Sequence, residues 1–125
     1  MRPLWPIERE VLEITAAEYA GSAEAFRRQI NTAQVISFAN SGAGFFSKLA
    51  VADDAPVLSE KSPLSGAYGS VLGIDHGMGF IVFLIDGRLS MIEGYCNGGG
   101  PTMDIDFSRA VYGLMPWSPK PNAKL

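Results

Sequence analysis

The chain of 125 residues carries 10 Lys and Arg against 13 Asp and Glu, a net charge of −3, and 47% of its residues are hydrophobic. This length and composition predict one domain with a single core, and the acidic balance disfavours nucleic acid and anionic membranes as partners. Apolar runs are too short to cross a bilayer. One Cys and one His exclude a zinc site built from those residues, so we expect no metal and no cofactor.

The first thirty residues predict two amphipathic helices rather than a signal peptide. Residues 1–8 lack an uninterrupted apolar run and become acidic at once, so we expect a cytoplasmic location. Apolar residues at helical spacing, followed by Gly21 as a C-terminal cap, predict a first helix over 7–19. Ser22 suits the N-cap of a second helix over 23–30. The acidic pI favours helices that cover a sheet over a DNA-binding pair.

From Gln34 onward, apolar residues recur at every second position instead of at helical spacing, which predicts about six short strands. Strands over 35–39 and 45–51 flank a turn and form one hairpin, and a long loop follows over 57–65. The remaining segments are a strand over 67–74, a tight turn over 75–78, a central hairpin over 79–95 and a closing strand over 105–114.

Together these elements predict an α+β domain. Two N-terminal helices would pack on one face of a curved antiparallel sheet of about six strands. The domain would span 1–115, and a Pro-rich flexible tail would occupy 116–125.

Asp86-Gly87 is the clearest turn signal in the chain. Both central residues of a type I′ turn need positive φ, and an apolar run precedes the dipeptide. A two-residue loop predicts that Ile85 faces Arg88 and, by regular pairing, that Phe80 faces Glu93. One apolar face would then contain Phe80, Val82, Leu84, Leu89 and Met91. Glu93 is the misfit on that face, because an unpaired buried charge is very costly.

The same register predicts that the first strand of this hairpin is central. Its second face carries Ile81, Phe83 and Ile85, so the strand should be buried on both sides.

Several motifs resemble those of a family of small bacterial proteins of uncharacterised function. They are PIEREVL from Pro6, GAGFF from Gly42, HGMGF from His76 and DGRLSMIEGY from Asp86. The resemblance covers most of residues 6–114 and implies a bacterial protein of one domain, with no established activity. After Tyr95, the CNGGG segment departs from the family pattern.

His76 and Glu93 are the sharpest candidates for a chemical site. Because the predicted register pairs Phe80 with Glu93, and His76 lies four residues before Phe80, both could meet at one end of the hairpin. Tyr95 and Tyr68 would share that rim. A histidine held by a carboxylate can act as a general base, although a corner histidine is more often a structural group.

Cys96 is a second candidate, as a nucleophile with His76 as its base. The glycines that follow it could offer oxyanion donors, but no helix N-terminus is present to lower its pKa. A half-buried thiol without a role in catalysis is the plainer interpretation.

Two functions remain open from the sequence. Small size, acidity and few catalytic groups favour a non-enzymatic protein-binding module, immunity-like or adaptor-like, that holds a protein partner or a second copy. The alternative is a small-molecule-binding protein or acid-base enzyme that uses a rim pocket of His76, Glu93, Tyr95 and Tyr68. A flat apolar patch would support the first function, and a concave pocket at that rim would support the second.

Overall fold

The computed structural model describes residues 1–117 of the chain. The elements are β1 (Arg2–Pro3), α1 (Pro6–Ala17), α2 (Ala23–Thr32), β2 (Gln34–Asn40), β3 (Gly44–Ala50), β4 (Leu64–Val71), β5 (Ile74–Ile85), β6 (Arg88–Cys96) and β7 (Tyr112–Pro116). The strands form one antiparallel sheet in the order β1-β2-β3-β6-β5-β4-β7. The predicted α+β class is confirmed, and the sheet has seven strands rather than about six.

The helices differ from the prediction by about two residues at their ends. α1 begins at Pro6, which suits the first turn of a helix, and it ends at Ala17, with a short 3-10 turn (Ala20–Ser22) before α2. α2 continues to Thr32, two residues beyond the predicted end. The predicted tail from residue 116 lies outside the described residues except for Pro116, which ends β7, and Trp117.

Two predicted strands are wrong in their limits. The chain reverses at Leu72-Gly73 rather than at 75–78, because Gly73 adopts a φ of +96°, which a residue with a side chain rarely adopts. Residues 74–78 therefore belong to β5. The predicted closing strand over 105–114 contains a helical turn (Phe107–Arg109), because the Asp106 side chain accepts a hydrogen bond from the Ser108 N–H. The strand itself begins at Tyr112.

The Asp86-Gly87 turn has positive φ at both residues, 51° and 76°, as the sequence predicts. The predicted register is correct next to the turn, where Ile85 pairs with Arg88 and Leu84 with Leu89. Ser90 then forms a β-bulge, and its hydroxyl donates a hydrogen bond to the Phe83 carbonyl at 3.1 Å.

Beyond the bulge, the predicted pairs are wrong by one residue. Val82 lies opposite Ile92, and Ile81, rather than Phe80, lies opposite Glu93. Ile92 is therefore buried in the core, whereas Met91 and Glu93 lie on the other face of the sheet. The bulge removes the misfit, since a regular hairpin would place the Glu93 carboxylate beside Phe80 in the core.

The core lies between the helices and one face of the sheet. Its largest buried side chains include four aromatic rings, Phe26, Phe45, Phe80 and Phe107. The opposite face of β5 is only half-buried at Ile81 and Phe83, and Ile85 is 66% exposed. The prediction that this strand is internal is correct, but the prediction that both of its faces are buried is wrong.

A fully buried carboxylate joins the N-terminus to the sheet. Glu8 accepts two hydrogen bonds from the Arg2 guanidinium, at 2.8 and 2.9 Å, and one from the Trp5 N–H at 2.7 Å. The Ser47 hydroxyl of β3 donates a fourth at 2.6 Å. Because its oxygens are fully partnered, Glu8 holds the start of α1 against β1 and β3.

We predict that Glu8→Gln lowers the free energy of unfolding by about 3 kcal/mol, because Arg2 loses its ionised partner. The matched control is Glu13→Gln on the same helix, where the carboxylate is exposed and 3.9 Å from Arg9. Its effect should stay within about 0.5 kcal/mol. Urea denaturation of both variants measures the difference, and equal losses would contradict the proposed role of Glu8.

Candidate functional site

The two faces of the sheet differ in what covers them. α1 packs against β4, β5 and β7, and the buried rings of Phe26 and Phe107 reach the sheet from that side. Within residues 1–117, no helix covers the other side. We call this side the open face, and it presents the side chains of Ile36, Phe46, Lys48, Tyr68, Ile81, Phe83, Ile85, Met91, Glu93 and Tyr95.

The open face is apolar, which is unusual for a sheet face that meets water. Lys48 and Glu93 are the charged members of this set, and the others are aliphatic, aromatic or methionine. At its margins the same face also carries Arg88 opposite Ile85, Ser37 opposite Lys48 and Ser65 opposite Ile81. Ile36 is 53% exposed and Phe46 is 36% exposed. A solvated face of an antiparallel sheet normally alternates polar residues with the apolar ones of the core. This face therefore exposes a contiguous apolar patch.

Strand pairing arranges these side chains in rows. Phe46, Glu93 and Ile81 form one row across β3, β6 and β5. Lys48, Met91 and Phe83 form the next row. Side chains in one row lie about 5 Å apart, so each row presents a continuous surface.

A shallow groove of about 440 Å³ crosses the turn end of the open face. It lies beside the bulge, which turns Met91 outward next to Phe83. Apolar side chains dominate its walls, and the residues that line it are Ile36, Lys48, Leu49, Phe83, Leu84, Ile85, Ser90 and Met91.

Tyrosines form the opposite end of the open face. The Tyr95 ring lies across Gly79, where an added Cβ would be 2.4 Å from the ring's Cζ and Oη atoms. Tyr68 occupies the next strand of the same row, and its ring packs against that of Trp117, with centroids 5.0 Å apart and the planes tilted by 33°. Because Gly79 has no side chain, it allows the tyrosine ring to lie against the sheet.

The structure brings some of the predicted site residues together and leaves His76 apart. Glu93, Tyr95 and Tyr68 all lie on the open face. His76 is exposed near the start of β5, next to Gly98, five residues before the Ile81 that pairs with Glu93. That separation along the strand is about 15 Å, beyond the reach of a hydrogen bond between the two side chains.

The best-defined cavities of residues 1–117 lie away from these residues. Four of them can be compared with the predicted rim, and none of these four is lined by His76, Glu93 or Tyr95. The same part of the chain holds no group of three His, Cys, Asp or Glu residues placed to bind a metal ion. None of its helices is long and apolar enough to span a membrane.

Cys96 ends β6 opposite Met78 and is half-buried. Burial raises the pKa of its thiol, because the thiolate loses solvation. A nucleophilic cysteine needs the opposite shift, so the environment of Cys96 favours the unreactive thiol at neutral pH.

Most of the open face is not predicted by the sequence. The alternation predicts burial of Ile81, Phe83 and Ile85 on the second face of the strand, and it places Met91 on the apolar face of the hairpin. One signal was present in the sequence. A regular hairpin would bury the charge of Glu93, and a bulge before Glu93 avoids this by turning both Met91 and Glu93 to the open face.

Comparisons of the chain with family models, curated proteins and solved structures found no match. The resemblance to a bacterial family therefore stays a prediction, and the candidate site rests on geometry alone.

We predict that Cys96 reacts with iodoacetamide at pH 7 more slowly than the same cysteine in the denatured chain. Its raised pKa leaves less thiolate at that pH, and the rate should reach half its maximum at a higher pH than in the denatured control. The pH dependence of alkylation, followed by mass spectrometry, separates this effect from simple protection. A folded-state midpoint below that of the denatured chain would instead support the nucleophile hypothesis.

Proposed function

We propose that this protein is a non-enzymatic, protein-binding module, immunity-like or adaptor-like, that acts in the bacterial cytoplasm and holds its partner on the open face. The observation that carries the proposal is the apolar patch on the helix-free side of the sheet. Exposed apolar patches of this kind are typical of protein interaction sites.

The chemistry of the open face suits an interface. Phenylalanine, tyrosine and methionine are enriched where proteins meet. The aromatic side chains bury a large apolar area with only two rotatable bonds, and methionine adapts its shape to the partner. Covering this surface would contribute roughly 25 cal/mol per Å² of apolar area removed from water. Strand pairing holds the backbone at Phe46, Phe83 and Met91 in place, so binding costs little backbone entropy.

The alternative, an acid-base enzyme or small-molecule site at His76 and Glu93, has less support. Strand pairing separates the two side chains, and the cavities described above lie elsewhere. Cys96 offers no replacement, because burial favours its neutral thiol. The open face therefore supports protein binding better than catalysis.

We predict that a photo-crosslinking amino acid at position 83 captures a protein partner in the cells that make this protein. Phe83 lies in the middle of the open face and is partly exposed, so the probe would contact whatever covers the patch. Gel electrophoresis and mass spectrometry of the irradiated cells would show a discrete adduct.

The control places the same probe at position 28. Arg28 is exposed on α2, in the layer on the opposite side of the sheet. A discrete adduct only from position 83 is the expected result. No adduct from either position, or the same adducts from both, would argue against a binding role for the open face.

A further inference from the structure

We infer that the partner seated on the open face is a second copy of this chain, packed face to face about a twofold axis. The inference rests on the proposed function, because it names the occupant of the same surface. Two charged side chains within the patch carry it.

Lys48 and Glu93 are diagonal neighbours on adjacent strands. Lys48 pairs with Met91, and Glu93 lies two residues further along β6, opposite Phe46. Neither Lys48 nor Glu93 takes part in any of the ion pairs that residues 1–117 form. Under an apolar partner, each charge would have at most the other as its partner in a dry interface, and burying a charge that is incompletely partnered is costly. An occupant that places a carboxylate over Lys48 and a cation over Glu93 removes that cost, so we infer an occupant with both charges.

The open face itself meets that requirement. A twofold axis that lies in the interface and bisects the line from Lys48 to Glu93 places each charge over the opposite charge of the second copy. One symmetry operation thus forms two ion pairs, as an isologous interface requires. Phe46 and Met91 occupy the other diagonal, close to the axis, where each would pack against its own counterpart.

The size of the open face can be compared with that of a typical dimer interface. The five strands that carry its side chains, about 4.8 Å apart and paired over about five residues each, cover roughly 400 Å² in plan. Side chains make the accessible surface larger than this plan area, toward the 800 Å² or so that each partner buries in a typical stable interface. The paired charges would also fix the register of the two sheets.

Sedimentation equilibrium of the full chain, with the single variants Lys48→Glu and Glu93→Lys, tests the inference. The unmodified protein should form a dimer. Each variant places like charges opposite each other twice, so each should weaken self-association at least tenfold or so. The control Arg28→Glu changes the net charge by the same amount as Lys48→Glu on the opposite layer, and it should dimerise normally.

Mixing the two variants gives the sharpest result. In a mixed dimer, the carboxylate at position 48 of one chain meets the lysine at position 93 of the other, and Glu93 of the first chain meets Lys48 of the second. Both attractive pairs return, so an equal mixture should recover dimers that neither variant forms alone. An attraction within one chain cannot produce this recovery. Circular dichroism melting curves of the separate variants establish that each is folded.

Three outcomes would overturn the inference: a monomeric protein at concentrations up to about 500 μM, single variants that associate like the unmodified protein, or a mixture that fails to recover. Each leaves the proposed function separately testable. A foreign protein captured from position 83 would then preserve the binding role and exclude the second copy as its partner. Failure of both experiments would exclude the binding role as well.

Discussion

The bulge at Ser90 decides which side chains of the central strands meet the core. Without it, a two-residue turn would send Met91 inward and leave Ile92 in water. With it, Ile92 is fully buried, and Met91 and Glu93 join Phe46 and Lys48 on the open face. One extra residue therefore determines both the composition of the core and the chemistry of the surface that we propose for binding.

Buried polar side chains hold the covering layer on one side of the sheet. The Gln29 amide of α2 donates to the carbonyls of Pro56 and Gly87 and accepts from the Leu89 N–H, all within 2.7–2.9 Å. At the opposite end, the Thr102 hydroxyl accepts from the Gly44 N–H and donates to Asn40. Like Glu8, the side chains of Gln29 and Thr102 are fully buried, so the hydrogen bonds that they form would be costly to leave unmade. They fix the helices and the loop at 100–106 to a single face.

This arrangement leaves an apolar sheet face where a partner can reach it. A module that only needs to bind can use a rigid sheet as its contact surface, since strand pairing orders the backbone before the partner arrives. The charges at Lys48 and Glu93 then act on orientation more than on affinity. A flat, rigid and nearly apolar face suits association between proteins better than enclosure of a small molecule.

Much of the fold could be predicted from local chemistry. Asp86-Gly87 specifies its turn because both residues tolerate positive φ, and apolar spacing identifies α1 and α2 within about two residues. The α+β class follows because apolar residues recur at helical spacing in the first thirty residues and alternate with polar ones from Gln34 onward. β1 could not be predicted, because it is only two residues long and exists through its pairing with β2.

The candidate site depended on tertiary structure. A sequence shows that Ile81, Phe83 and Ile85 alternate with core residues, but it does not show whether a second layer covers them. It also cannot place a bulge, because the free energy that selects one comes from burying Ile92 and exposing Glu93 across three strands at once. The sequence by itself determined the Asp86-Gly87 turn, the two helices to within about two residues, and the alternation of the strands. Tertiary packing decided the register beyond Ser90 and the face left open, since both depend on which surfaces the rest of the chain can cover.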